Sequence, residues 1–192
     1  AGLSRRYDFL TTVSRYCNAL GWGNYANDHE DANGQFEQNF TYDDALVSCD
    51  RAIFFRYMVH SLAEQHGMIA TFMPKPFTHL TGNGCHFHMS LWDGDTNLFL
   101  DEGDPRGLGL SESAYNFIGG LKAHARAYSA LTAPTVNSYK RLKPGSTSSG
   151  AYDIPVRVRI LAISSNWASK LRRPLASSVR STRFGAAASA SA

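Results

Sequence analysis

Two histidines lie one residue apart in the segment GNGCHFHMSLW, which begins at Gly82. Apolar residues alternate with His86, His88 and Ser90, and this period of two is typical of a half-buried β-strand. One face of the strand is therefore apolar, and the other carries two imidazoles. A lone histidine is usually a surface or hydrogen-bonded residue, but two on one strand face after a glycine-rich turn favour a metal or anion contact.

Two glutamates lie on either side of the turn in a hairpin that is predicted over residues 25–40. The dipeptide Asn33-Gly34 is a strong signal for a two-residue turn, and that turn would place Glu30 directly opposite Glu37 on one face. Opposed like charges destabilise a bare sheet, whereas a bound divalent cation makes the same pair favourable. Two alternatives stay open, namely that both carboxylates are solvated or that the loop is longer than two residues.

A basic cluster occurs in the segment PTVNSYKRLKPGSTSSG, which predicts a loop containing Lys140, Arg141 and Lys143. Most such clusters are solvated, but beside an anion-handling metal site the planar arginine fork suits a carboxylate. The residues alone therefore predict a metal-dependent enzyme acting on carboxylate and phosphate groups, with ligands suited to Mg²⁺ or Mn²⁺. A cupin-like metal-binding protein is the alternative, although its usual glutamate after the two histidines has no counterpart here.

The sequence patterns predict long helices and short strands as the elements that carry these residues. Residues 4–20 predict a helix capped by Ser4 and ended by Gly21, and residues 68–74 predict a buried strand. A second helix, 41–66, would start with a capping box of Thr41 and Asp44. Its predicted buried face consists of Leu46, Cys49, Ile53, Tyr57 and Leu62. The expected fold class is α+β, with an antiparallel sheet that carries the metal site and packs against long helices.

A third helix is predicted over residues 111–131, and it contains Gly119-Gly120. Each glycine costs about 1 kcal/mol relative to alanine inside a helix. We therefore expect this pair to allow close packing by a neighbouring element.

The composition is that of an ordinary globular chain, with 192 residues, 43% hydrophobic and 18% charged. No apolar run reaches the roughly 20 residues that span a bilayer, so no membrane partner is expected. The chain does not start with Met, and its first residues resemble the interior of a longer protein. Three widely spaced cysteines predict buried, reduced thiols and a cytoplasmic location.

The charge divides the chain in two. Residues 1–150 carry 12 basic and 15 acidic side chains, and residues 151–192 carry 7 basic and 1 acidic. The basic part has no repeat or motif that would indicate a nucleic-acid partner. We expect residues 1–150 to form a partial catalytic domain and 151–192 an Ala/Ser/Arg-rich tail. A short strand containing Val156, Val158 and Ile160 is the exception in a tail that we expect to be frame-shifted or disordered.

Four motifs, in order, resemble the catalytic domain of glutamine synthetase. They are HEDANGQFE, ATFMPKP, GNGCHFHMSLW and PTVNSYKRLKPG, and the resemblance covers about residues 1–150. The longer segments TGNGCHFHMSLWDG and RLKPGSTSSGA look most like the branch often labelled type III. That branch includes enzymes that make γ-glutamylmethylamide.

The resemblance implies a role for each matching position. Glu30 and Glu37 would hold the metal nearer glutamate, and His86 the metal nearer the nucleotide phosphates. His88 and Ser90 would face ATP. The backbone of Gly82 would approach glutamate, and Arg141 would bind a glutamate carboxylate as the catalytic residue. These roles imply ATP and Mg²⁺ or Mn²⁺ as cofactors.

The family is an ATP-dependent carbon–nitrogen ligase that joins glutamate to ammonia, or to methylamine in one branch, through γ-glutamyl phosphate. It builds its active sites between subunits, which implies a homo-oligomer. This sequence departs from the family pattern at Thr81, where an Asn is usual, and the phosphate-binding arginines expected downstream are not found after Ala151. The alternative from another functional class is a truncated, non-catalytic remnant of such a ligase.

Overall fold

A hairpin and two helices form the frame of the fold in the computed structural model, which describes residues 2–142, 158–160 and 183–191. The helices within these residues are α1 (Gly2–Arg5), α2 (Tyr7–Ala19), α3 (Ala45–Gln65), α4 (Glu112–Ala123), α5 (Ala125–Thr132) and α6 (Val136–Arg141). The strands are β1 (Asn24–His29), β2 (Gln35–Phe40), β3 (Asp43–Asp44), β4 (Cys85–Ser90), β5 (Trp92–Asp93), β6 (Thr96–Asn97), β7 (Val158–Ile160) and β8 (Arg183–Ser191).

Most strands of the described chain belong to one sheet with the order β1-β2-β8-β4-β7. All neighbouring pairs are antiparallel except β4 and β7, which are parallel, and β3 also pairs with β8. Strands β5 and β6 form a separate two-stranded ribbon. The expected α+β class with a mainly antiparallel sheet is confirmed. The boundary at residue 150 stays a prediction.

The core lies between α2, α3 and one face of the hairpin. Phe36 on β2 is buried in the same cluster as Val13 and Cys17 on α2 and Val59 on α3. Phe40 and Phe55 meet edge to face with ring centroids 5.1 Å apart, which fixes the hairpin against α3. Since side chains alternate along a strand, the residues next to Phe36, including Glu37, point to the other face of the sheet.

Helix α2 confirms part of its predicted pattern. Phe9, Val13 and Cys17 are buried, and Gly21 ends the helix with φ 75°. Leu20, however, is 48% exposed. Ser4 does not cap this helix, because it lies inside α1 and the residue at the start of α2 makes no side-chain capping bond.

The predicted buried face of α3 was wrong. Its buried residues are Phe55, Met58, Val59, Leu62 and Ala63. Of the predicted face only Leu62 is buried, and Leu46, Ile53 and Tyr57 are 74%, 71% and 68% exposed. Apolar residues occur all round this helix, so the sequence period does not select a face.

The capping box predicted for α3 does not form. Asp44 precedes the helix without a side-chain capping bond. The Thr41 hydroxyl instead donates to the Trp22 carbonyl at 3.0 Å. Thr41 is therefore engaged with the segment after α2 rather than with the first turn of α3.

Three further expectations need correction. Residues 68–74 form no strand and contain a single bridge residue, at Thr71, and of these residues only Met68 and Ala70 are buried. The predicted third helix is divided at His124 into α4 and α5, and nothing lies within 4 Å of a Cβ placed on Gly119 or Gly120. The Gly pair therefore does not mark close packing among the described residues.

All three cysteines are free thiols, as predicted, but the predicted burial holds for only one of them. Cys17 is buried, and burial raises the pKa of its thiol to about 11. Cys49 and Cys85 are exposed free thiols. In the described part of the chain, every helix is too short or too polar to cross a bilayer.

Candidate functional site

The hairpin brings the two predicted acidic ligands together, but through a longer loop than expected. Asp28, not Glu30, lies opposite Glu37 in the strand register. The Glu30 N–H donates to the Gln35 carbonyl at 3.0 Å, so four residues, 31–34, form the loop. Glu30 lies just beyond the end of β1 and is a diagonal neighbour of Glu37 rather than its direct partner. The two-residue turn was therefore wrong.

The side chain of Gln35 explains the longer loop. Its Oε1 accepts from the backbone N–H of Ala32 at 3.1 Å, and the backbone N–H of Gln35 donates to the Ala32 carbonyl at 3.1 Å. Gly34 takes the left-handed conformation, with φ 76°, that the turn requires. A backbone N–H that would be unpaired in a wider loop is thereby satisfied.

The register change of two residues leaves both carboxylates on one face of the sheet. Both are half-buried. The hydrogen bond from one carboxyl to the other, then burial, then the charge of Glu37 raise the pKa of Glu30 from 4.5 to about 7. Below that pH the Glu30 carboxyl group carries a proton with which it can donate to Glu37, and above it Glu30 adds a negative charge beside Glu37.

Strand β4 forms where it was predicted, and side-chain alternation places His86, His88 and Ser90 on one face. Burial does not alternate along the strand, because Cys85 is exposed and its other five residues are all half-buried. Through β8, which pairs with both β2 and β4, this is the face on which Glu37 lies: Glu37 is opposite Ser189, and His86 is opposite Ala187 two positions away. Two strand spacings and two residues separate Glu37 from His86, which corresponds to about 12 Å between their Cα atoms.

The Gly82–Gly84 turn is held by backbone and amide hydrogen bonds. The Asn83 N–H donates to the Pro74 carbonyl at 2.9 Å, and Asn83 Nδ2 donates to the Met73 carbonyl at 2.8 Å. A Cβ on Gly82 would lie 2.5 Å from the Pro74 carbonyl oxygen. Only glycine therefore fits at position 82 with the backbone as it stands.

Arg141 lies across this turn because a short helix, not the predicted loop, carries it. Helix α6 is capped by the Thr135 hydroxyl, which accepts from the Ser138 N–H at 3.2 Å. Asn137 fixes the helix to the chain before the turn, since it accepts from the Lys75 N–H at 2.7 Å and donates to the Lys75 carbonyl at 2.9 Å. The helix thus presents Arg141 from its last turn.

The guanidinium of Arg141 and the imidazole of His86 meet at Gly84. Arg141 Nη2 lies 3.0 Å, and His86 Nε2 lies 3.4 Å, from the point where a Cβ on Gly84 would stand. The methylene carbons of Arg141 pack over Gly82 at 3.1 and 3.2 Å from its equivalent point. The predicted substrate residues Gly82 and Arg141 and the predicted metal ligand His86 therefore lie together.

Lys75 is a buried cation that the sequence did not indicate. Only 5% of it is exposed, and its ammonium group donates to the Leu80 carbonyl. Burial, and then the charge of Arg141, lower the pKa of Lys75. Of the other predicted basic residues, Lys140 is exposed and Lys143 lies outside the described residues.

Possible metal ligands are incomplete in the described residues. Within 2–142, 158–160 and 183–191, no group of three or more His, Cys, Asp or Glu side chains is placed to hold an ion. The donors present are the paired carboxylates Glu30 and Glu37, whose shared proton a divalent cation would replace, and the imidazole of His86. Carboxylate oxygens suit Mg²⁺ and Mn²⁺, so the chemistry of this pair fits such an ion.

A cavity of about 950 Å³ lies on the opposite, helix-facing side of the sheet. Phe55 and Phe72 contribute to its wall, and Arg141 and Gly84 border it. Its described lining does not include Glu30, Glu37, His86, His88 or Ser90. Arg141 and Gly84 therefore border both the cavity and the predicted site, whereas the predicted metal and nucleotide ligands lie outside its described lining.

Three side-chain amides connect this site, the buried Gln35 and Asn83 and the half-buried Asn137, and the motif analysis assigned none of them a role. Their hydrogen bonds join segments up to 62 residues apart. The spacing of polar residues carries no signal for such contacts, because each partner is a backbone group or an amide on another element. A glutamine next to a turn signal was the one local hint.

A family model described as the glutamine synthetase catalytic domain matches residues 2–159. The chain belongs to the glutamine synthetase family. Members of this family are carbon–nitrogen ligases, and ATP use, divalent metals and a part in nitrogen metabolism are general to it. The resemblance carried by the four motifs is thereby confirmed.

Two curated relatives carry different names. The chain is 54% identical over 151 residues to a glutamine synthetase of Rhizobium meliloti, covering 78% of this chain and 34% of the relative. It is 50% identical over 157 residues to a glutamate–methylamine ligase of Methyloversatilis universalis, covering 82% and 36%. The chain thus spans about a third of the length of these relatives.

The chain is also similar to solved structures of both kinds of protein. A complex titled GmaS with ADP shares 57% identity at a TM-score of 0.70, covering 78% of this chain and 34% of that one. The glutamine synthetase of Plasmodium falciparum shares 32% identity at a TM-score of 0.66, covering 71% and 26%. The fold is therefore that of the family's catalytic domain.

Proposed function

We propose that this chain is part of the catalytic domain of an ATP-dependent glutamate–amine ligase of the cytoplasm. The observation that carries the proposal is the convergence of Gly82, His86 and Arg141 at one turn, on the sheet face that also bears the acidic pair. Such a face combines a cationic clamp for a carboxylate with ligands for a cation that binds phosphate. The family match favours this function over the cupin-like alternative.

In the proposed reaction, a γ-carboxylate oxygen of glutamate attacks the γ-phosphorus of ATP, the bond to ADP breaks, and γ-glutamyl phosphate forms. The amine nitrogen then attacks the acyl carbon, and inorganic phosphate leaves with the electrons of the C–O bond as the nitrogen loses a proton. The carboxylate and the triphosphate repel each other. Arg141 offsets this repulsion by binding a carboxylate of glutamate.

Within this proposal, Glu30 and Glu37 hold one Mg²⁺ or Mn²⁺ and His86 holds another. These cations, when bound, neutralise the charge between the two anionic substrates. The raised pKa of Glu30 supports the assignment, because a pair that already shares a proton has a place for a cation. His88 and Ser90 face the nucleotide, and the backbone of Gly82 contacts glutamate.

The amine is ammonia or methylamine, and the enzyme acts as a homo-oligomer whose active sites lie between subunits. Because the chain spans about a third of its relatives, the metal site is completed by residues outside it. In this proposal the 192-residue chain is non-catalytic in isolation, as in the alternative of a truncated remnant. The ligase activity belongs to the assembled enzyme.

A segment exchange tests this function. Residues 2–142 replace the aligned segment in the Rhizobium meliloti glutamine synthetase and, separately, in the Methyloversatilis universalis glutamate–methylamine ligase. Phosphate release from ATP is then measured with glutamate plus ammonia or methylamine. We expect each chimera to be active and the isolated chain to release no phosphate.

Arg141→Ala in the active chimera provides the residue-level test. We expect a loss of about 100-fold in kcat/KM for glutamate, the size of effect that misplacing a clamped substrate produces. Lys140→Ala, which changes an exposed neighbour on the same helix, is the matched control and should stay within about twofold. Two inactive but folded chimeras, or equal effects of the two variants, would contradict the proposal.

A further inference from the structure

Gln35 is among the most buried polar residues of the described chain, with 2% of its surface exposed. It lies at the start of β2, on the same strand face as Glu37, and its backbone carbonyl accepts from the Glu30 N–H. Its position is therefore inside the acidic hairpin, between the two carboxylates in sequence and in register.

The amide of Gln35 leaves the hairpin and reaches the glycine turn. Its Nε2 donates to the Gly82 carbonyl at 3.2 Å and to Asn83 Oδ1 at 2.8 Å. Its Oε1 accepts from Ala32 in the hairpin loop. Both amide hydrogens and the carbonyl are therefore used, with one end fixed to the hairpin and the other to the turn.

Asn83 extends this connection into the segment before the turn. It donates from its backbone to Pro74 and from its side chain to Met73, so its own amide orientation is determined by the Met73 carbonyl. Asn83 Oδ1 must then face Gln35 as an acceptor. A donor at position 35 is the group that fits between this oxygen and the Gly82 carbonyl.

From these contacts we propose that Gln35 is a positioning residue that couples the acidic hairpin to the Gly82 backbone, and thereby sets how tightly glutamate binds. The inference rests on the proposed function for the substrate, but the coupling itself does not. Gln35 touches no reacting atom in this scheme. It acts by holding two binding elements at one separation, for which a displacement of 1 Å is enough to weaken binding strongly.

The substitution Gln35→Glu separates this role from simple filling of space. It keeps the shape but replaces the donating NH₂ with an oxygen that faces the two acceptors on Gly82 and Asn83. The matched control is Gln38→Glu, because Gln38 is on the same strand, is 4% exposed and receives the same charge. Gln38 lies on the other face and contacts Asn24 instead of the turn.

The first measurement is hydrogen exchange of the Asn83 amide in the 192-residue chain. We expect Gln35→Glu to accelerate exchange about tenfold or more, because the turn loses its bonds to the hairpin. Gln38→Glu should change it less than about twofold. Gln35→Met, which removes the donor without adding charge, should give an intermediate acceleration. Unchanged exchange in a folded Gln35→Glu chain, or equal acceleration by Gln38→Glu, would overturn the coupling.

The second measurement is made in the active chimera with the same variants. We expect Gln35→Glu to raise KM for glutamate about tenfold or more while KM for ATP changes less than about twofold. A role in stability alone would not separate the two substrates. An unchanged KM for glutamate, or an equal rise in both constants, would overturn the positioning role. If the unmodified chimeras are inactive, the proposed function fails, while the exchange result still decides whether Gln35 couples the two elements.

Discussion

The acidic hairpin and the glycine turn represent two opposite ways of building a binding site. In the hairpin, Glu30 and Glu37 are diagonal neighbours, and the hydrogen bond with Glu37, then burial, then the charge of Glu37 raise the pKa of Glu30 to about 7. In the turn, Asn83 and Asn137 satisfy the backbone of Pro74 and Lys75 completely. The hairpin is arranged to receive a positive charge, whereas the turn is finished before any ligand binds.

The two regions therefore contribute differently to the stability of the fold and to the affinity for ligands. The turn and α6 are stabilised by hydrogen bonds within the chain, so they are preorganised and intolerant of change. The hairpin keeps a like-charged pair that weakens the empty fold above neutral pH and strengthens the affinity for a cation. Substitutions in the turn should therefore cost stability, while one in the hairpin should gain it.

The largest effect is expected from Gly82→Ala. The new methyl group would lie 2.5 Å from the Pro74 carbonyl oxygen, a backbone atom that cannot move without breaking the bond from Asn83. We expect a loss of about 3 kcal/mol in the free energy of unfolding, measured by denaturant titration. Gly120→Ala, which meets nothing within 4 Å on α4, should instead stabilise the chain by about 0.5–1 kcal/mol.

A smaller effect is expected from Asn137→Leu, which removes both bonds to the Lys75 backbone. Leaving a buried N–H and a carbonyl unpaired should cost about 2 kcal/mol, measured in the same titration. Asn137→Asp keeps the acceptor for the Lys75 N–H and should cost about half as much. If Asn137→Leu is as stable as the exposed control Lys140→Ala, the contrast between a finished turn and an open hairpin is lost.

In the hairpin, unlike in the turn, a substitution should raise the stability of the chain, and the effect should depend on pH. Because the pKa of Glu30 is 4.5 in an unfolded chain and about 7 in the fold, the folded chain binds the extra proton across that window. Its stability should therefore fall as the pH rises from 4.5 to about 7. We expect Glu30→Gln to remove this dependence and to stabilise the metal-free chain by up to about 1 kcal/mol at about pH 8. A melting temperature equally dependent on pH in both proteins would contradict the shared proton.

The smallest effect is expected from adding Mn²⁺ to the isolated chain at about pH 8. A cation held between the two carboxyl groups, which repel each other once Glu30 has lost its proton, should raise the unfolding free energy by about 0.5 kcal/mol, since only part of a coordination shell is present. Glu30→Gln and Glu37→Gln should abolish this gain. We expect Gly82→Ala to lower the stability of the chain but to leave the increase caused by Mn²⁺ unchanged, because the two changes act on different regions.

Local patterns predicted the elements better than their contacts. The alternation around His86 predicted β4, and Asn33-Gly34 predicted the hairpin, because both depend on neighbours in sequence. The buried face of α3 was wrong since apolar residues surround that helix, and the choice depends on what packs against it. The segment around Arg141 was predicted as a loop, but Thr135 and Asn137 stabilise a short helix there.

The sequence by itself determined the types of group available for chemistry: two carboxylates in one hairpin, two imidazoles on one strand face and an arginine in a basic segment. It determined these because periods of two and turn dipeptides are local properties of the chain. Only the tertiary structure decided that Gln35 lengthens the hairpin loop, that Glu30 is a diagonal neighbour of Glu37, and that Arg141 lies over Gly82. The first two outcomes depend on bonds that Gln35 makes to Ala32 and Glu30, which the turn dipeptide does not encode. The last depends on hydrogen bonds between residues up to 62 positions apart, which no local pattern encodes.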